Sequence, residues 1–144
     1  VLYYTGKSRV SADIISEQNK NTSSALKSPL ESMHKIKLLS KKTKEALITG
    51  EIRSLANILN DSWFHKKNTA EKISNKKIDA IYDKAMNSGA LAGKISGAGG
   101  GGFMFFLVDP IDRTKLINQL NSLGGRVYNF QFVSDGMKGW YISK

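Results

Sequence analysis

Apolar side chains recur at helical spacing through the middle of the chain. One stripe covers residues 30–47, a second covers residues 52–63 and a third covers residues 78–85. Apolar residues three or four positions apart share one face of a helix, so the stripes predict three successive helices between residues 29 and 88. Gly50 is predicted to end the first of them, because glycine adopts the left-handed conformation that often follows a helix.

The start of that helix has its own signal. Ser28, Pro29 and Glu31 match a capping box, with serine at the N-cap and proline in the first helical position. Asn, Thr and Ser are frequent in residues 19–28, which predicts a connection there. A polar helix is expected before it, over residues 8–20.

Shorter segments rich in aromatic and aliphatic residues are typical of strands. The segment from Phe103 to Val108 is the clearest, because it consists of six consecutive apolar residues. We predict an α+β fold in which a mostly antiparallel sheet of four to five strands is covered by helices. The predicted strands are residues 2–5, 91–96, 103–108, 126–133 and 139–143.

Composition excludes several classes of protein. The 144 residues suit one domain, and the longest apolar run is far shorter than the roughly 18 residues of a membrane-spanning helix. No cysteine is present, which excludes disulfide frameworks, zinc ribbons and thiol nucleophiles. The two histidines, His34 and His65, cannot close a metal site alone, and neither is expected to act as a general base.

The chain is basic, with 22 Lys and Arg against 12 Asp and Glu and a net charge of +10. This excess suits a partner that carries phosphate. One alternative is therefore a non-enzymatic RNA-binding module of ferredoxin-like type, in which Tyr128, Phe130 and Phe132 stack on bases. We favour the interpretation that these aromatic residues pack beneath helices.

A glycine-rich loop separates two predicted strands. Although its spacing contains G-x-G-x-x-G, a dinucleotide-binding loop would be followed by a helix, and this loop precedes a strand. A Walker loop is excluded because no Gly-Lys-Ser/Thr follows, and the His-Arg-Asp and Asp-Phe-Gly segments of protein kinases are absent. A flexible turn remains the alternative to a phosphate-related loop. The loop comprises Gly97, Ala98, Gly99, Gly100, Gly101 and Gly102.

The segment from Lys94 to Phe103 closely resembles the third signature motif of the GHMP kinase superfamily. The resemblance extends over nearly the whole chain and implies the C-terminal domain of such a kinase over residues 1–144. Within the superfamily, the Thr-Gly-Lys-Ser-Arg opening and Trp63 with the two lysines that follow it are most like bacterial D-glycero-D-manno-heptose 7-phosphate kinases. The phosphate-binding loop of the family does not occur here, so we expect a fragment of a longer kinase that lacks its N-terminal nucleotide-binding domain.

The resemblance also implies functional residues. Ser96 and the glycine loop would form a wall of the nucleotide site, and the substrate would be held by Lys7, Arg9, Lys66 and Lys67. Solvated surface cations are the structural alternative for Lys7 and Arg9. For the other two lysines, positive charge also stabilises the C-terminus of a helix. We expect no catalytic residue and no metal ligand in this chain.

The expected reaction is phosphoryl transfer from ATP, with Mg²⁺, to a hydroxyl of a sugar phosphate, in particular the anomeric hydroxyl of a heptose 7-phosphate. ATP and Mg²⁺ are implied for the full-length enzyme alone. We expect this chain to fold by itself, to lack kinase activity and to bind ATP weakly. Its expected partners are its own N-terminal domain and a sugar phosphate, with no membrane, and the expected compartment is the cytoplasm.

Overall fold

The structure is a computed structural model that describes residues 1–6 and 11–142. Four strands and five helices confirm the predicted α+β class, and a short 3₁₀ helix, Glu71–Ile73, lies between the third and fourth helices. The strands are β1 (Leu2–Tyr4), β2 (Ala90–Ile95), β3 (Phe103–Val108) and β4 (Arg126–Tyr128). The helices are α1 (Ser11–Ser23), α2 (Lys27–Thr49), α3 (Ile52–Lys67), α4 (Lys76–Met86) and α5 (Arg113–Asn121).

The strands form one antiparallel sheet in the order β2-β3-β1-β4. Tyr3 is paired with Met104 on one side and with Val127 on the other, so these side chains share one face of the sheet. That face lies on the main core, to which α4 contributes Ile78 and Ile81. The core therefore forms between the sheet and the apolar stripes that the sequence predicted.

A second, smaller cluster joins α2 to α3. It contains Leu39 and Ala46 of α2 with Leu55 and Ile58 of α3, and Leu107 of β3 packs against it. The same α3 helix also packs along β2, and its Trp63 belongs to the main core. As a result, the C-terminal end of α3 lies beside the end of β2, where the glycine loop begins.

One predicted strand was too long, and another was wrong. Residues 126–133 form a strand over Arg126–Tyr128 alone, and residues 139–142 form no strand. Phe130 and Phe132 do not pack beneath helices, since they are 49% and 95% exposed. Strand propensity reflects packing against neighbours, and most large side chains of this segment lack such neighbours in the described chain.

The predicted start of α2 was also wrong. Leu26 occupies the N-cap, with φ −59° and ψ 121° and no side-chain hydrogen bond, so Ser28 lies inside the helix. Pro29 is tolerated as the third helical residue because the first four N–H groups of a helix have no partner within it. Helix α1 continues to Ser23, which shortens the predicted connection to three residues. Gly50 ends α2 in the left-handed conformation, as predicted.

Within residues 1–6 and 11–142, no helix combines the length and the apolar character needed to cross a membrane.

Candidate functional site

The glycine loop connects β2 to β3 and depends on a backbone that other residues avoid. All five of its glycines have positive φ angles, from +74° at Gly100 to +155° at Gly101. Hydrogen bonds close both ends: Ser96 N–H donates to Phe103 O at 2.8 Å, and Thr5 N–H donates to Gly102 O at 2.9 Å. The density of glycine therefore matches a specific loop conformation.

One side of the loop is anchored to the 3₁₀ helix. The N–H of Gly100 donates to the carbonyl oxygen of Ile73 at 2.8 Å. A Cβ atom on Gly99 would lie 2.8 Å from the Cα of Ile73, so the two backbones approach too closely for any side chain at this position. Asn75, the N-cap of α4, also donates from Nδ2 to the Gly100 oxygen at 3.4 Å.

The other side of the loop is open. A Cβ atom built on Gly97 or on Gly102 meets no other atom within 4 Å. Gly99 and Gly100 thus form the back of the loop, which is fixed against Ile73. Gly97 and Gly102 form its front, which another molecule or another part of the protein can approach. A flexible turn would not require the close packing at Gly99.

Two lysines lie at the front of this loop. Lys66, in the last turn of α3, donates from Nζ to the carbonyl oxygen of Gly97. Lys94, on β2, donates from Nζ to Ser62 Oγ at 3.3 Å. Ser62 and Lys66 are four residues apart on α3 and therefore share one face of the helix. The fold places both ammonium groups beside the start of the loop.

Burial lowers the pKa of both lysines, and the charge of Lys94 adds to the effect on Lys66. Burial, together with the positive charge of Lys94, lowers the pKa of Lys66 to about 8. Burial also lowers the pKa of Lys94 from its ordinary value. Both effects disfavour the charged form of the lysines, whereas a bound anion would favour it.

Lys67 lies in a different environment from its neighbour. Its Nζ is 3.6 Å from Asp79 Oδ1 of α4 and 5.7 Å from the centre of the Trp63 ring. These contacts tie the end of α3 to α4. The structure therefore places Lys67 in an ion pair and Lys66 beside the loop.

The structure brings some of the predicted site residues together, and others lie outside the residues that it describes. Ser96, the glycine loop and Lys66 lie together, whereas Lys7 and Arg9 lie outside the described residues. Sequence reasoning gave no role to Lys94, Ser62 or Asn75. Asn75 carried a usable signal, since asparagine before a helical stripe is a preferred N-cap. The Lys94–Ser62 contact joins residues 32 positions apart and depends on how α3 packs over β2.

A divalent cation has no ready site in this part of the protein. Within residues 1–6 and 11–142, no group of three or more His, Asp or Glu side chains is placed to hold a metal ion. These residues therefore form no metal site of their own. The positive groups beside the loop suit an anion instead.

The fold and the glycine loop agree with one class of protein. The family profile described as GHMP kinases C terminal matches residues 43–126, which include α3, α4, the loop and β3. This match covers more than half of the chain, and the chain belongs to this family. The predicted resemblance is confirmed.

Comparison with individual proteins shows which kinases the chain is similar to. The chain is 44% identical, over 142 residues, to a D-glycero-alpha-D-manno-heptose 7-phosphate kinase from Campylobacter jejuni. The alignment covers 99% of this chain and 41% of that kinase. The chain thus spans about two fifths of the length of the curated relative that it matches.

Solved structures share the fold. A Campylobacter jejuni chain, solved as a candidate sugar kinase, has a TM-score of 0.64 and 41% identity, and the match covers 97% of this chain and 38% of that one. Streptococcus pneumoniae phosphomevalonate kinase, in complex with phosphomevalonate and AMPPNP, has a TM-score of 0.72 at 19% identity, with 89% and 37% covered. The second similarity concerns the fold alone.

Proposed function

We propose that this chain is the C-terminal domain of an ATP-dependent sugar-phosphate kinase whose acceptor is the anomeric hydroxyl of a heptose 7-phosphate. The observation that carries the proposal is the 44% identity to a heptose 7-phosphate kinase along 99% of this chain. The glycine loop supports it, because a rigid back and an open front suit a wall against which substrates are held. Catalysis in such enzymes depends mainly on positioning and electrostatic stabilisation.

In this proposal, Ser96 and residues 97–102 form a wall of the nucleotide site. Gly99 and Gly100 fix the loop on Ile73, which leaves the side at Gly97 and Gly102 to face the nucleotide-binding domain. A loop held in one conformation loses little conformational entropy when a ligand binds. This chain would thereby lower the entropic cost of ligand binding.

The substrate side of the proposal involves the lysines and one arginine. Lys66 is placed to present its ammonium group at the start of the loop. Lys67 would contribute positive charge at the end of α3, where its contacts with Asp79 and Trp63 hold it. Lys7 and Arg9, which precede α1, remain proposed contacts to the sugar phosphate. Arginine suits this role because its planar group can bind phosphate through two hydrogen bonds.

The nucleotide cradle would come from a separate N-terminal domain, as would any site for Mg²⁺. The relative is more than twice as long as this chain, which leaves room for such a domain. Exposed apolar side chains in residues 130–142 would also be stabilised by a covering partner, because burial removes apolar surface from water. Examples are Phe132, Met137 and Tyr141, which are 95%, 103% and 104% exposed. A cytoplasmic enzyme is consistent with this proposal.

An acceptor panel tests the function. ADP release by the full-length protein is measured with D-glycero-D-manno-heptose 7-phosphate, with the same heptose lacking phosphate, and with mevalonate. We expect kcat/KM for the heptose 7-phosphate to exceed that of the other two acceptors by at least about 100-fold, because a site built to bind the sugar phosphate rejects acceptors that lack it. Preference for mevalonate, or ADP release that no acceptor stimulates, would overturn the proposal.

A further inference from the structure

Two cations beside the glycine loop lack an acidic partner. Lys66 and Lys94 donate to neutral oxygens, the carbonyl of Gly97 and the hydroxyl of Ser62. Among the described residues, no Asp or Glu oxygen lies within 4.0 Å of either ammonium group. Their neighbour Lys67, by contrast, has Asp79 at 3.6 Å. Most other lysines and arginines of the described residues also lack an acidic partner, but they are exposed, whereas Lys66 and Lys94 are half-buried.

Such a pair costs free energy in the folded protein. Each ammonium group is partly removed from water, and neutral oxygens compensate a charge less well than a carboxylate does. The two positive charges also repel each other, since Lys94 disfavours the charged form of Lys66. The attraction of an anion placed between them would offset both penalties.

We propose that Lys66 and Lys94, with the hydroxyl of Ser62, form a binding site for a doubly charged phosphate group, which makes Lys94 a substrate-binding residue. Two ammonium groups match the charge of the dianion, and the Ser62 hydroxyl supplies a third donor. The site lies at the open front of the loop, beside Gly97. This inference rests on the proposed kinase function, in which the phosphate could belong to the sugar phosphate or to the nucleotide.

Kinetics with single-residue variants test the site. The full-length protein is compared with Lys66→Met, Lys94→Met and, as a matched control, Lys115→Met, which removes an exposed lysine of α5. If the sugar phosphate is the ligand, each of the first two variants raises its KM at least about tenfold, because each loses a charge-assisted hydrogen bond. The KM for ATP changes by less than about twofold, and the control resembles the wild type.

The source of the phosphate is decided by the same measurements. A rise confined to the KM for ATP would support the site and assign it to the nucleotide. Unchanged KM values for both substrates, in variants with normal thermal unfolding, would overturn the site while leaving the kinase activity intact. Sulfate affinity that falls in Lys66→Met and Lys94→Met, in a protein that phosphorylates no sugar, would support the site and refute the proposed function.

A second measurement requires no variant. Sulfate is a dianion that does not titrate near neutral pH, and its binding to the wild-type protein at about pH 8 is followed by calorimetry in buffers of different ionisation enthalpy. Burial and repulsion lower the pKa of Lys66 to about 8, and a bound dianion raises it, so binding should take up protons. Binding without proton uptake would contradict the proposal. Other charged or titratable groups lie on α3 and on the elements that follow it, namely His65, Lys67, Glu71, Lys72 and Asp79.

Discussion

Gly99 is the residue at which the loop is most closely packed. Its φ angle is +130°, and a Cβ atom would lie 2.8 Å from the Cα of Ile73 and 2.9 Å from its carbonyl oxygen. Backbone atoms cannot move aside as the end of a flexible side chain can. The stability of the domain and the shape of the site therefore depend on the same glycine.

We expect Gly99→Ala to lower the free energy of unfolding by about 2–4 kcal/mol, from backbone strain and overpacking together. The matched control is Gly136→Ala, because a Cβ at that position meets nothing within 4 Å and Gly136 is not among the glycines with positive φ. The control should change stability by less than about 0.5 kcal/mol. Urea denaturation measures both, and equal stability of the two variants would refute the packing argument.

The lowered pKa of Lys66 predicts how the stability of the protein depends on pH. The pKa of this lysine is about 8 in the folded protein, whereas the ordinary value for lysine, expected in the unfolded chain, is 10.5. Between these two pH values the unfolded chain therefore binds more protons than the folded protein. The contribution of this group to the free energy of unfolding therefore increases as pH rises from about 8 to 10.5. Below about pH 8 the full penalty of the charged, partly buried lysine is present.

Lys66→Met should remove this contribution, so that its stability rises less over the same pH range than that of the wild type. Lys115→Met, at an exposed position, should retain the wild-type slope. Thermal unfolding at a series of pH values supplies the comparison. The same slope in all three proteins would mean that Lys66 titrates at an ordinary pKa.

At the scale of secondary structure, Asn75 joins α4 to the glycine loop. Its Oδ1 accepts hydrogen bonds from the N–H groups of Lys77 and Ile78, both at 3.1 Å, and its Nδ2 donates to Gly100. One side chain thus caps a helix and holds the loop. The position of the loop depends on where α4 begins.

Asn75→Ala is expected to cost about 1–2 kcal/mol of stability, because the N-cap loses its acceptor. Ser28→Ala is the matched control. Its sequence context resembles a capping box, but Leu26 is the N-cap of α2 and no side chain caps that helix. The control should therefore be nearly neutral in chemical denaturation. A larger loss in Ser28→Ala than in Asn75→Ala would contradict these cap assignments.

The sequence predicts most accurately those elements that neighbouring residues determine by themselves. Residues 103–108 form β3 as the run of six apolar residues predicts, and Met104 and Phe106 are the two that are buried. The aromatic residues after Tyr128 gave a similar signal, but their exposed side chains lack the neighbours that would form a strand. The glycine loop could be recognised from its motif. The Lys94–Ser62 contact could not, because it arises from packing between α3 and β2.

At the scale of the whole molecule, the site is expected to be incomplete in this chain. The glycine loop and the lysines supply one wall, and the described residues contain no group of side chains suited to hold Mg²⁺. We predict that the 144-residue chain folds cooperatively, binds ATP·Mg²⁺ weakly and transfers no phosphate, because a partial site must order its ligand without the opposing wall. Calorimetry and a coupled kinase assay measure these properties. Micromolar affinity or turnover by the chain alone would contradict this division of roles.

We propose that the full-length protein transfers a phosphoryl group from ATP to the anomeric hydroxyl of a heptose 7-phosphate. Phosphorus NMR of the reaction mixture tests it most directly, because a phosphate on the anomeric oxygen couples to the anomeric proton. We expect a new anomeric phosphate resonance to grow as ADP forms, while the resonance of the 7-phosphate persists. Growth of inorganic phosphate with an unchanged sugar would contradict it, as would a new phosphate on any other hydroxyl.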